Sequence, residues 1–117
     1  MFDITKEVPS LKLCKKLKKL GFPQEGEGWY YTKMMGDIDY RLQLFLGGSP
    51  LQAQNVLDFI KAPTCRELAE WINIAYQNLP VEIKTKCRFP YAPDEINPNI
   101  LAEDLIWLIE KRYFKFK

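Results

Sequence analysis

The segment 97–112, which reads NPNILAEDLIWLIEKR, constrains the fold more than any other part of the sequence. Its apolar residues recur at helical spacing and form a face so broad that a helix standing alone in water would not be stable. Other elements must therefore cover it. Asn97 is a suitable cap and Pro98 suits the first helical position, so a core helix is predicted here. The residues on its apolar face are Leu101, Ala102, Leu105, Ile106, Leu108 and Ile109.

The length and composition are those of one globular domain, which we expect to span residues 1–117. A chain of 117 residues can bury a core without disulfides or metals, and 47% apolar with 27% charged residues is typical of folded proteins. No apolar run of about eighteen residues predicts a membrane span, and the first residues lack the pattern of a secretory signal. Three widely spaced cysteines, Cys14, Cys65 and Cys87, indicate reduced thiols in a cytoplasmic protein.

Capping signals predict two further helices. Ser10 precedes an amphipathic segment, and Thr64 with Glu67 forms the S/T-x-x-E capping box before another apolar pattern. Both patterns repeat at helical rather than strand spacing. The predicted helices span about residues 10–20, 64–77 and 98–112.

Alternating and aromatic residues predict a small antiparallel or mixed β-sheet, which gives an α+β fold packed by the three helices. A hairpin is expected over 29–46, and a further strand near 81–88. The segment 47–61 fits either a short third strand or a helical turn, and the tail after Arg112 alternates like an edge strand. In the second hairpin strand, four alternating apolar residues are expected to share one buried face: Ile38, Tyr40, Leu42 and Leu44.

The sequence contains no histidine, which removes the commonest general base and the commonest zinc ligand together. It also lacks a C-x-x-C pair and the glycine-rich phosphate-binding motifs. The neighbouring carboxylates are better explained as solvated or helix-capping charges than as catalytic pairs. We therefore predict no catalytic residue, no metal site, no cofactor and no enzymatic activity. Those carboxylates are Asp37 with Asp39, Asp94 with Glu95, and Glu103 with Asp104.

The net charge of +2 hides an asymmetry between the two ends and the middle of the chain. Residues 1–21 carry +4 and residues 110–117 carry +3, so the middle carries −5. One side of the first helix is rich in lysine. It can bind phosphates or an acidic protein, or it can simply be the solvent-exposed side of an amphipathic helix. Nucleic-acid binding is the second hypothesis, after protein binding, because the pI is only about 8.4, arginines are few and no recognised nucleic-acid-binding motif is present. The lysines on this side are Lys12, Lys15, Lys16 and Lys19.

Three aromatic residues complete the candidate interaction surface. Trp29 and Tyr31 share one face of the first hairpin strand, where they either pack in the core or anchor a partner. Trp107 lies off the leucine stripe of the 98–112 helix. It is either buried by a helix covered on nearly all sides, or it contacts a partner or a second copy of this chain. Self-association through Trp107 is predicted on this basis.

Three segments resemble small uncharacterised proteins encoded by bacterial prophages and related mobile elements. They are LCKKLKKLGFPQEGEGWYY (13–31), APTCRELAEWI (62–72) and LAEDLIWLIEKRYFKF (101–116). The resemblance implies a bacterial or phage intracellular setting and carries no activity or site residue with it. The leading expectation is a small non-enzymatic accessory protein that binds another, unidentified protein, with no membrane association. The alternative is weak nucleic-acid binding through the lysines of the first helix.

Overall fold

A computed structural model of the chain describes residues 6–48, 50, 56–86 and 96–116. Within these residues, three strands form one sheet and helices pack against it, so the predicted α+β class is confirmed. Cys87, Asp94 and Glu95 lie outside the described residues, as do both ends of the expected single domain. The elements are α1 (Leu11–Lys19), β1 (Gly28–Met34), β2 (Arg41–Phe45), β3 (Val56–Lys61), α2 (Cys65–Gln77), α3 (Val81–Lys84) and α4 (Pro98–Glu110).

The sheet has the order β2-β1-β3, and both outer strands run antiparallel to β1. The predicted hairpin is therefore confirmed, and β3 shows that part of the ambiguous 47–61 segment is a strand. Tyr31 pairs with Leu42 on one side and Ile60 on the other, so these three side chains share a face. Because β1 is central, its alternate residues, such as Tyr30, are buried on the opposite face.

Helix α1 packs between the sheet and α4. Its cap is Ser10, whose hydroxyl accepts a hydrogen bond from the Leu13 amide at 3.4 Å. Cys14 is buried with Val8 beneath the sheet, whereas Leu17 joins the core formed with α2 and α4. Burial raises the pKa of the Cys14 thiol to about 12, so this cysteine is protonated and inert at neutral pH.

The main core lies between α1, α2 and α4. The apolar face predicted for α4 is covered on both sides, since α1 and α2 each pack against it. Aromatic rings of the C-terminal tail close this core from outside: Phe114 and Phe116 lie at 5.9 and 5.0 Å from the Trp71 ring. The buried core residues are Leu17, Phe22, Leu68, Ile72, Leu101, Ala102, Leu105 and Ile106.

The strand predicted near 81–88 is wrong for residues 81–86, and residues 87 and 88 lie outside the described part of the chain. Residues Val81–Lys84 form the short helix α3, in which the amides of Ile83 and Lys84 donate to the Pro80 carbonyl at 3.0 Å. Ile83 packs against the end of α2, whereas Val81 is exposed. Apolar residues two positions apart therefore do not share a sheet face here.

Two other strand expectations are corrected. The described tail residues 113–116 form no strand, because their aromatic rings pack over Trp71 and Phe22 instead of joining a ladder. The buried face predicted for the second hairpin strand is only half present. Tyr40 and Leu42 pack against the sheet core, but the side chains of Ile38 and Leu44 are 88% and 47% exposed.

The capping box at the start of α2 is confirmed and gives a first stability prediction. The Thr64 hydroxyl accepts from the Glu67 amide, and the Glu67 carboxylate accepts from the Thr64 amide. We expect Thr64→Ala to lower the free energy of unfolding by about 1 kcal/mol in urea denaturation. Thr85→Ala is the matched control, because Thr85 is exposed and caps no helix start. Equal effects of the two substitutions would contradict the role of the box.

No helix in the described residues is both long enough and apolar enough to cross a bilayer. The longest, α2 and α4, have 13 residues each. A helix that crosses the hydrocarbon core needs about 20 residues.

Candidate functional site

The outer side of α1 carries the four lysines selected from the sequence, and all four are exposed. They follow one another along the helix beside Leu11 and line a shallow groove on its surface. The helix turns this side outward because its apolar residues contact the sheet on one flank and α4 on the other. The lysines of this surface, called the α1 basic surface below, are Lys12, Lys15, Lys16 and Lys19.

The basic C-terminal segment begins beside the end of α1. The Ser10 amide donates to the Asn99 side chain at 2.8 Å near the start of both helices, and Lys16 pairs with Glu110 at 3.2 Å near their ends. Helices α1 and α4 therefore run side by side in the same direction. Just beyond, the rings of Phe22 and Phe116 are 5.2 Å apart. The exposed cations of the C-terminal segment are Lys111, Arg112 and Lys115.

Part of this positive charge has a structural role. Cations near the C-terminal ends of two helices interact favourably with the helix dipoles, and this describes Lys19 in α1 and Lys111 after α4. Lys15 lies 4.8 Å from the centre of the Tyr40 ring, and Lys16 is paired with Glu110. Lys12 and Lys19 form no ion pair with any described residue. These two are the lysines available to an external partner.

Asp58 connects α1 to the sheet, a contact that the sequence did not indicate. Its carboxylate accepts hydrogen bonds from Lys18 at 3.2 Å and from the Tyr40 hydroxyl at 2.5 Å. Burial raises the pKa of Asp58, but these hydrogen bonds outweigh it and hold the pKa below its usual value. Lys18 also donates to the Phe59 carbonyl at 2.6 Å. It is thus engaged by the fold, unlike the lysines of the outer side.

Trp29 and Tyr31 lie on the sheet face that packs against the N-terminal segment and α1. Both are partly buried in the cluster around Val8 and Cys14. The Tyr31 hydroxyl donates to the Pro9 carbonyl at 2.9 Å, which ties β1 to the start of α1. The structure thus gives both residues a packing role, and it does not bring them together with the α1 basic surface.

Trp107 lies on the outer side of α4 and is 39% exposed. Its ring is 5.8 Å from the ring of Tyr113, which follows the end of the helix. Its helical neighbours Glu103 and Glu110 are exposed too. The tryptophan is therefore half covered by its own chain, and a partner could cover the remaining surface.

Among the described residues, we find neither a metal-binding cluster nor a pKa that is shifted toward neutrality. They contain no group of three or more metal-binding side chains. The resolved pKa shifts move away from neutrality: burial raises the pKa values of Cys65, Tyr30 and Tyr31, whereas that of Asp58 is lowered. A general acid or base works best with a pKa near the operating pH, and these shifts have the opposite direction.

Comparisons of this chain with models of known protein families, with curated proteins and with solved structures find no match. The resemblance of the three segments to prophage-encoded proteins therefore stays a prediction.

Proposed function

We propose that this protein is a small, non-enzymatic cytoplasmic accessory protein that binds an acidic partner protein through the α1 basic surface. The observation that carries the proposal is the row of exposed lysines along the outer side of α1, at the end of which the basic C-terminal segment begins. Lys12 and Lys19 are exposed there without a described ion pair, and the exposed cations Lys111, Arg112 and Lys115 belong to the segment that begins beside the end of α1. Clustered charge of one sign steers an oppositely charged partner toward the surface.

The absence of histidine supports a binding role over a catalytic one. So do the directions of the pKa shifts, because the buried thiol of Cys14 stays protonated and Asp58 stays ionised near neutral pH. Both groups are occupied by the fold: the Cys14 thiol donates to the Pro9 carbonyl, and Asp58 is bonded to Tyr40 and Lys18. Neither is free to act on a substrate.

The test is affinity capture from bacterial lysate with the immobilised protein and a Lys12→Glu/Lys19→Glu variant. At about 0.1 M salt, where the Debye length is about 10 Å, we expect the protein to retain an acidic partner in near-stoichiometric amount. Charge reversal should reduce its recovery about tenfold, because the attraction at this surface becomes repulsion. Lys19→Glu loses a favourable interaction with the helix dipole, which at an exposed position is worth only about 0.3 to 1 kcal/mol. Each introduced glutamate also has a lysine four residues away on α1, and such oppositely charged pairs stabilise a helix, so the variant should fold. These lysines are Lys16 for the first substitution and Lys15 for the second.

The matched control is Arg66→Glu/Lys86→Glu, which changes the net charge by the same amount at exposed positions away from α1. A glutamate in place of Arg66 loses the exposed ion pair with Glu70, which contributes little, and lies in the first turn of α2, where the helix dipole favours it. Capture should survive in this control. If the control loses the partner as fully as the α1 variant does, net charge rather than the α1 basic surface is responsible, and the proposal fails.

Nucleic-acid binding is the second candidate, and the same lysines favour it because phosphates are bound by exposed cations. It predicts a mobility shift of a labelled DNA duplex at low salt that weakens as salt rises. The Lys12→Glu/Lys19→Glu variant should reduce the slope of log affinity against log salt by about two, since each phosphate contact contributes about 0.9. A duplex that stays unshifted at low salt would eliminate this candidate and leave the protein partner.

A further inference from the structure

The two edge strands of the sheet, β2 and β3, differ in the hydrogen bonding of their outward backbone groups. On β3, side chains occupy three of the outward backbone groups: Lys18 donates to the Phe59 carbonyl, Asp58 accepts from the Phe59 amide at 2.9 Å, and Gln24 accepts from the Lys61 amide at 2.7 Å. These bonds prevent another strand from adding to this edge. Sheet edges that lack such protection are available for pairing with another strand.

The hydrogen-bond pattern of the sheet determines which backbone groups of β2 point outward. The Trp29 carbonyl accepts from the Ala62 amide, so Trp29 directs its backbone groups toward the β3 side. The alternate residues of β1 then face β2, and their partners in β2 are Arg41, Gln43 and Phe45. The amides and carbonyls of the two residues between them, Leu42 and Leu44, consequently point away from the sheet. None of these four groups is hydrogen-bonded to a described residue.

Apolar side chains accompany this open edge. Leu44 is half exposed, Leu46 is 78% exposed, and Ile38 at the other end of the strand is more exposed still. The alternation of β2 is that of a strand with one buried face, yet the chain's own elements leave this part of the face uncovered. An added strand would satisfy the four backbone groups and cover Leu44 at the same time.

We propose that β2 pairs antiparallel with β2 of a second copy of this chain, which joins two sheets into one of six strands. Only one register within β2 allows all four outward groups to form hydrogen bonds in both copies. It places Leu42 opposite Leu44 of the second copy and Gln43 opposite Gln43 of the second copy. In this register Arg41 lies opposite Phe45 of the second copy. No like charges face each other, and Arg41 is already paired with Asp37 at 2.9 Å. This self-complementarity favours a second copy over a foreign strand.

Oligomeric state and its dependence on Leu44 test the proposal. Light scattering over about a hundredfold range of protein concentration should show a mass approaching twice the 13.8 kDa of one chain. Leu44→Lys should give a monomer by placing charge on the edge. Leu44→Pro should also give a monomer, because it removes the outward amide of residue 44. An edge strand tolerates proline at such a position. Circular dichroism establishes that each variant is folded. Leu57→Lys, on the protected edge strand β3, is the matched control and should remain a dimer.

The register is tested by a Gln43→Cys substitution. Directly opposed residues of a non-hydrogen-bonded pair have Cα atoms about 4.5 Å apart, which a disulfide can span. Under mild oxidation this variant should crosslink, as mapped by mass spectrometry of the linked peptide. Arg41→Cys should not crosslink, because its copy lies about 13 Å away along the strand.

Several results would overturn the proposal. A chain that is monomeric at every concentration has no self-pairing edge. A dimer that persists in both Leu44 variants but dissociates in Trp107→Ala assembles through the predicted Trp107 contact instead. A monomer that binds an extended peptide in a Leu44-dependent manner uses the edge for a foreign strand. Because Lys12 and Lys19 form no described ion pair with a residue of β2, the Lys12→Glu/Lys19→Glu variant should remain dimeric whichever partner α1 binds.

Discussion

Leu105→Ala should lower the free energy of unfolding by about 3 to 5 kcal/mol, the largest effect that we expect from a single truncation in this chain. Leu105 is fully buried in the middle of α4. It belongs to the cluster in which α4 meets Leu17 of α1 and Leu68 of α2. Its side chain therefore lies in the core that α4 shares with both covering helices, and its truncation leaves a buried space.

The magnitude follows from two losses that add. Removing three buried carbon atoms loses their transfer free energy, and the remaining cavity loses contacts that the surrounding helices cannot fully restore. A domain of this size has a total stability of only about 5 to 15 kcal/mol, so the variant should be near the limit of folding.

Urea denaturation followed by circular dichroism measures this loss. Leu57→Ala is the matched control, because Leu57 is the same residue type but is exposed. Its substitution should change the free energy of unfolding by less than about 0.5 kcal/mol. A small effect at Leu105 would mean that the core between α1, α2 and α4 is packed more loosely than the structure describes.

The helices could be predicted because their signals are local. Ser10, Thr64 and Asn97 each accept the hydrogen bonds of a helix start, and the helices begin directly after them. Periodicity then identifies the apolar face without knowledge of the partner. The ends differ by at most two residues from the predicted bounds, as helix ends commonly do.

The strands were harder to predict, because a β-strand forms only where another strand pairs with it. Val81 and Ile83 alternate with polar residues, but no described strand pairs with them, and the chain forms a helical turn that packs Ile83 on α2. In contrast, Phe59 and Ile60 carry no clear alternation signal, yet β3 pairs with β1 along most of its length. Tertiary context decided both outcomes.

The candidate site, too, could be predicted only in part from the sequence. Helical spacing places the lysines on one side of α1, and that side is exposed. Their proximity to the basic C-terminal segment could not be read from the sequence, because it depends on α1 and α4 lying side by side. The buried position of Lys61 was also missed, since a lysine at the end of an apolar segment is normally expected to reach water.

Lys61 is the basis of the second large effect. Its side chain is buried, with only 4% of the residue exposed. The ammonium group donates to the Glu27 carbonyl at 2.8 Å, lies 3.8 Å from the Glu67 carboxylate, and is 4.8 Å from the centre of the Tyr30 ring. Glu67 is more than a third exposed, so solvent screens this ion pair, and the hydrogen bond to Glu27 matters more.

Gly28 makes room for this ammonium group. A Cβ atom at position 28 would lie 2.7 Å from the Lys61 Nζ, and the glycine has a φ of +139°, a conformation that other residues rarely adopt. Glycine at a strand start often indicates such a close approach. Gly28→Ala should therefore destabilise the fold in two ways, through backbone strain and through displacement of Lys61.

A double-mutant cycle separates these two contributions. Lys61→Met keeps the volume but removes the charged hydrogen bond, and we expect it to lower the free energy of unfolding by about 1 to 3 kcal/mol. Gly28→Ala alone should cost about 1 to 3 kcal/mol, in part from its backbone conformation. The double variant should be more stable than the sum of the single effects by about 1 kcal/mol, because no ammonium group remains to be displaced. Strictly additive effects in urea denaturation would show that Gly28 is required for its backbone conformation alone.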